Sequence, residues 1–199
     1  MNFPQFVIAA IALRNLSVFH FSMQTHSGDL ITRGTVWLAL TLYVASELRG
    51  AVRRDRNRLS ISWWLYTAGC VLFLGHVAVA FNYFYGWRHA VAYADIARQS
   101  KELTGWDSGG GIYLNYFFGI VWVSEVLWAR IAYGGYSSRP AFWMWAVRAL
   151  FLFMIFNGAF VFVRSNMRWF GLVLCLLLMM SWRIGAKRSI DRRASAKSS

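Results

Sequence analysis

Eight carboxylates, four histidines and two cysteines are the chain's first candidates for acid–base, metal-binding and nucleophilic chemistry. Glu125 stands out among them, because it sits in VWVSEVLWAR, residues 121–130, between Trp122 and Trp128 in a run otherwise fit for lipid. A charge at membrane depth costs a few kcal/mol or more unless it is paired, so such residues mark ion pairs, proton relays or substrate paths. Arg148 is the expected partner. At about 1.5 Å per residue, Glu125 lies about 12 Å and Arg148 about 10 Å from the same end of two adjacent antiparallel segments. Asn115 and Asn157 match in depth near the opposite end and suit a hydrogen bond between helices. The helical phases conflict, however. About 80° separates Glu125 from Asn115, whereas about 180° separates Arg148 from Asn157, so one straight seam cannot hold both pairs and the charged one takes precedence.

The histidines raise metal and haem chemistry. His20, Met23 and His26 in HFSMQTH recur at every third residue, and imidazole with a thioether suits copper. His76 is the histidine well inside an apolar segment. Haem b there would need a second ligand at the same depth, supplied by the N-terminal histidines or a partner subunit. A hydrogen-bonded structural role is the simpler reading. Cys70 and Cys175 have no CxxC partner and read as small apolar packers. No Ser-His-Asp pattern, HExxH or phosphate-binding loop occurs, and the glycines of WDSGGGIY have no Lys after them. The expectation is no catalytic residue and no resident cofactor, with haem b or copper as alternatives.

The elements that hold these residues follow from composition. With 58% hydrophobic and 18% aromatic residues against 15% charged, the chain is unfit for a soluble domain. Backbone groups in lipid must be satisfied within each segment, so the expected class is an all-α polytopic membrane bundle. Five spans are expected, at 34–51, 60–86, 111–133, 141–163 and 169–183. Residues 1–22 form an apolar segment interrupted by Arg14 and Asn15, read as an interfacial helix or a sixth span, with a translation start at Met23 as a third possibility. The bundle occupies 23–184, and 185–199 is a basic tail expected to be disordered.

Charge sets the expected orientation. Arg49, Arg53, Arg54, Arg56 and Arg58 crowd one loop, and six basic residues follow from Arg183 onward, so both regions are expected in the cytoplasm. The formal net charge of +13 therefore belongs to topology and to anionic lipid head groups near the tail. Nucleic acid is not an expected partner, because the basic residues flank spans and line no soluble face. The expected partners are the bilayer, other membrane subunits or a second copy, in a bacterial inner membrane.

The stretch 88–103, RHAVAYADIARQSKEL, has helix formers without Gly or Pro and ends at Thr104-Gly105. It predicts a helix on the outer membrane surface, with Trp87 and Trp106 as anchors. It either covers the bundle mouth or forms a lid over a polar site at His89, Tyr93, Asp95 and Asp107. Residues 85–116, YGWRHAVAYADIARQSKELTGWDSGGGIYLNY, and 139–162, RPAFWMWAVRALFLFMIFNGAFVF, resemble segments of a family of small uncharacterised multipass bacterial membrane proteins. The resemblance covers residues 37–169, implies the multipass fold and carries neither an activity nor a site residue. By leaving out the N-terminal segment it favours Met23 as the start. The expected function is a membrane scaffold or accessory subunit. The alternatives are a small transporter or channel built on Glu125, Arg148, His76 and the asparagines, or a haem- or metal-binding redox protein.

Overall fold

The computed structural model describes the backbone of residues 3–52, 60–158 and 167–195, with side chains from Gly28 onward in the first range, throughout the second, and at 168–188, 191 and 195 in the third. Every regular element in it is helical: α1 (Phe3–Val52), α2 (Ile61–Ala80), α3 (His89–Thr104), α4 (Gly111–Ile131), α5 (Tyr133–Ser137), α6 (Ala141–Phe156) and α7 (Met167–Ser195). Three segments are long and apolar enough to cross a membrane: Ile61–Tyr85 with 25 residues, and Gly111–Ile131 and Arg168–Arg188 with 21 each. The apolar helix α6 is shorter, at 16 residues. The all-α class and the membrane character therefore stand, and the five-span count goes beyond these three helices.

The described backbone is helical at both ends of the chain. α1 runs for 50 residues without a break, about 75 Å at 1.5 Å per residue. Arg14 and Asn15 do not interrupt its backbone, because neither residue type breaks a helix as Pro does. At the other end, residues 185–195 continue α7 where disorder was expected. Lys and Arg are good helix formers, and the apolar turns before them provide a helix already nucleated.

Local chemistry sets the other boundaries. Ser60 caps α2, its hydroxyl accepting from the Trp63 amide at 3.1 Å, an arrangement worth about 1 kcal/mol. The helix widens into a π turn at Phe81–Tyr85. It stops where Gly86 and then Trp87 take positive φ of 52° and 59°, a conformation that strains the tryptophan but not the glycine. α3 forms where the 88–103 pattern predicted it and ends at Gly105, in the left-handed region at φ 79°.

Contacts between helices fix their directions. Thr32 with His76, Ala39 with Gly69 and Tyr43 with Tyr66 run in opposite order along α1 and α2, so these two are antiparallel. Phe73–Phe118 and Tyr66–Trp122 make α2 and α4 antiparallel. Trp122–Phe151 and Glu125–Trp143 do the same for α4 and α6. Trp37–Phe170, Glu47–Trp182 and Ala51–Arg188 run in the same order, so α1 and α7 are parallel. Their C-termini share one end of the bundle, here termed the basic end, and α3 lies at the other. Arg188 donates to the carbonyls of Ala51 and Val52 and so satisfies the last turn of α1.

The core is aromatic. Tyr43 stacks on Phe151 with ring centroids 3.8 Å apart, and Trp122 and Phe118 each pack edge-on to Phe151 at 4.8 Å. Gly69 makes this possible, since a Cβ there would lie 2.9 Å from the Ala39 carbonyl and 3.0 Å from Trp122.

Candidate functional site

One half-buried and one buried carboxylate lie toward the basic end, in two clamps of the same design. In the first, Glu47 near the C-terminus of α1 accepts from Arg148 of α6, at 3.3 Å from Nε and 3.2 Å from Nη2, and from the Trp182 indole of α7 at 3.0 Å. The guanidinium also lies near the Trp145 and Trp182 rings, at 5.4 and 5.5 Å. In the second, Glu125 of α4, only 2% exposed, accepts from the Trp143 indole of α6 at 2.8 Å and lies 3.7 Å from Arg139. Arg139 stands just before α6, lies over the Tyr136 ring at 3.7 Å, and donates to the Tyr136 carbonyl at 3.2 Å. Each carboxylate therefore meets one cation and one neutral indole donor, which compensates its desolvation.

The expected Glu125–Arg148 pair does not form. Among the described residues Arg148 makes its ion pair with Glu47, and Glu125 with Arg139. Azimuth decides the pairing: at about 100° per residue, Arg148 points some 140° away from Trp143 around α6, so the face turned to Glu125 is not the face that carries Arg148. Depth was the wrong criterion on its own. Glu47, Arg139, Trp143 and Trp182 were missed because charges near span ends read as interface flanks and indoles as lipid anchors. An indole placed one or two turns from a span end and level with a carboxylate was the available signal.

The other predicted positions are scattered. The His76 ring hydrogen-bonds the Thr32 carbonyl through Nδ1 at 2.8 Å. A carbonyl only accepts, so the proton sits on Nδ1 and the residue pins α2 to α1. Asn115 and Asn157 are half-buried, and no side-chain hydrogen bond joins them. The expected lid site falls into three groups. His89 meets the Tyr116 hydroxyl at 3.1 Å, with Tyr93 and Tyr113 beside it. Asp95 accepts from Tyr85 at 3.3 Å and from Gln99 at 2.8 Å, and pairs with Arg98. Asp107 pairs with Lys101 at 3.0 Å. These close pairings stabilise α3 and its following loop and leave no convergent site.

Cys70 and Cys175 are buried free thiols. No group of three or more His, Cys, Asp and Glu side chains converges on a metal site among the described residues. The side chains of His20, Met23 and His26 lie outside them. Burial pushes the Tyr136 phenol up to about 12, with Arg139 pulling the other way and Glu125 adding to the rise. The ring under Arg139 is thus neutral at ordinary pH. The comparisons with protein-family models, with curated proteins and with solved structures returned no match.

Proposed function

We propose that this chain is a multipass integral membrane protein that serves as a scaffold or accessory subunit, with no catalytic site of its own. The observation that carries the reading is the pair of clamps. Glu47 draws its donors from two other helices, 101 and 135 positions away, and Glu125 is held by α6 and the segment just before it. A carboxylate that served a transport or redox cycle would have to exchange such partners at every turnover; these hold segments together. In this proposal five helices cross the inner membrane. The basic end and the C-terminus face the cytoplasm, α3 lies along the outer surface, and basic side chains of α7 meet anionic head groups. The partners are other membrane subunits or a second copy, and nucleic acid is not among them.

Reconstitution of the purified protein into liposomes tests the function. The scaffold reading expects no proton or anion flux above empty vesicles, and no Soret band in the same preparation. A second reading, a small transporter or channel, has one observation in its favour: the buried Trp122 indole N–H, one helical turn from Glu125, meets no hydrogen-bond partner among the described residues. Flux that disappears in Glu125→Gln while the protein remains folded would replace the first reading with the second.

A further inference from the structure

Buried polar atoms in a folded protein are nearly always hydrogen-bonded, so a group of unpartnered ones calls for a ligand or water. Toward the basic end such atoms concentrate. Ser62 Oγ, Trp63 Nε1 and Thr67 Oγ1 on α2, Trp122 Nε1 on α4 and Arg139 Nε are buried and meet no acceptor among the described residues. Trp122 is completely buried. Thr32 Oγ1, beside the His76 crossing, is the orphan toward the other end.

Ring contacts and helical spacing link the residues that carry several of these atoms. Trp63, Tyr66 and Thr67 share a face of α2 at three- and four-residue spacing. The Tyr66 ring lies 5.8 Å from Trp122, 5.9 Å from Tyr43 and 6.0 Å from Phe151. Glu125, with Arg139 beside it, is one helical turn from Trp122.

The chemistry of the set is one-sided. An indole N–H and a guanidinium N–H can only donate, and the phenol and threonine hydroxyls can donate as well. Glu47 and Glu125 are matched by Arg148 and Arg139, so an incoming anion meets donors without net negative charge. We propose that the interior near the basic end, between Tyr43, Tyr66, Trp122 and Arg139, binds one small, weakly hydrated monovalent anion of the halide or nitrate class. The two carboxylates disfavour divalent anions such as sulfate, whose hydration is costlier to strip. The site goes beyond the scaffold reading and stands whether the bundle conducts or only anchors.

The test measures the thermal midpoint of the full-length protein in nanodiscs. Sodium bromide or sodium chloride replaces sodium gluconate at constant ionic strength. The midpoint is expected to rise by several degrees as halide increases, because the anion binds the folded state alone. Tyr66→Phe and Trp122→Phe each remove one donor. Each is expected to weaken the halide effect about tenfold in concentration; Tyr66→Phe should leave the midpoint in gluconate within a few degrees of wild type, whereas Trp122→Phe, in the aromatic core, lowers it in both salts. Equal midpoints in halide and gluconate would mean that water alone satisfies these donors, and the site would be rejected. An unchanged halide response in both variants would place the binding elsewhere on the chain and overturn the proposal equally. If Trp122→Phe does not fold, Tyr66→Phe and Thr67→Val decide the question.

Discussion

At the scale of single residues, this protein's charges are paired by direction as much as by depth. Glu47 and Arg148 share a hydrogen-bonded ion pair, each with about a quarter of its side chain exposed. A double-mutant cycle with Glu47→Gln and Arg148→Met, followed by unfolding in detergent, is expected to give a coupling of about 1 kcal/mol, because partial exposure screens it. The same cycle with Glu125→Gln in place of Glu47→Gln should give close to zero; coupling as large as the first would restore the Glu125–Arg148 pair. Trp143→Phe keeps the ring and removes the N–H that holds Glu125. It is expected to cost about 1.5–3 kcal/mol, the worth of a hydrogen bond to a charged group. The Tyr136 phenol, held up to about 12 by burial, contributes no pH dependence below its unfolded value near 10. Between about 10 and 12 the unfolded chain loses this proton first, so stability falls as pH rises, and Tyr136→Phe should flatten that limb of a stability–pH curve.

At the scale of elements, α2 shows how two glycines of one helix differ. Gly69 sits where α1 and Trp122 approach most closely, whereas a Cβ at Gly75 would meet nothing within 4 Å. Gly69→Ala is expected to destabilise by about 1–3 kcal/mol, since Trp122 and a backbone carbonyl must move. Gly75→Ala should be neutral or stabilising by up to about 1 kcal/mol through helix propensity. Comparable losses in both would mean that the α1–α2 crossing lies elsewhere. Much at this scale was legible in the sequence: apolar runs placed α2, α4 and most of α7, and composition with the Thr104-Gly105 stop placed α3. Gly119 of α4 is close-packed as Gly69 is, with the Phe73 ring 3.3 Å from an added Cβ, whereas Gly75 is not. A glycine's sequence context does not say which face of the helix meets a neighbour. The candidate site was less legible, for the same reason. Glu125 was found because a charge in an apolar run is conspicuous, but its partners depend on rotation about helix axes that depth and composition leave free.

At the scale of the whole molecule, parallel α1 and α7 bring two arginine-rich regions to one end, and this ordering bears on topology. With Cys70 and Cys175 replaced, a cysteine at Ser108 is expected to react with an impermeant reagent in intact cells, and one at Asp191 only after lysis. The reverse pattern would invert the proposed orientation. The first clamp also has a consequence for synthesis. Glu47 emerges from the ribosome about 100 residues before Arg148 and about 135 before Trp182, and the carbonyls at the end of α1 wait longer still for Arg188. Throughout that interval the growing chain carries an uncompensated carboxylate and a helix end open to other binders, such as an insertion factor or a quality-control protease. Formation of the clamp closes that interval. Chains stopped at Ser181, which lack Trp182 and Arg188, should therefore be cleared in a pulse-chase experiment several times faster than the full-length protein, and Glu47→Gln should slow their clearance. Equal lifetimes for stopped and complete chains would show that the cell does not read this junction.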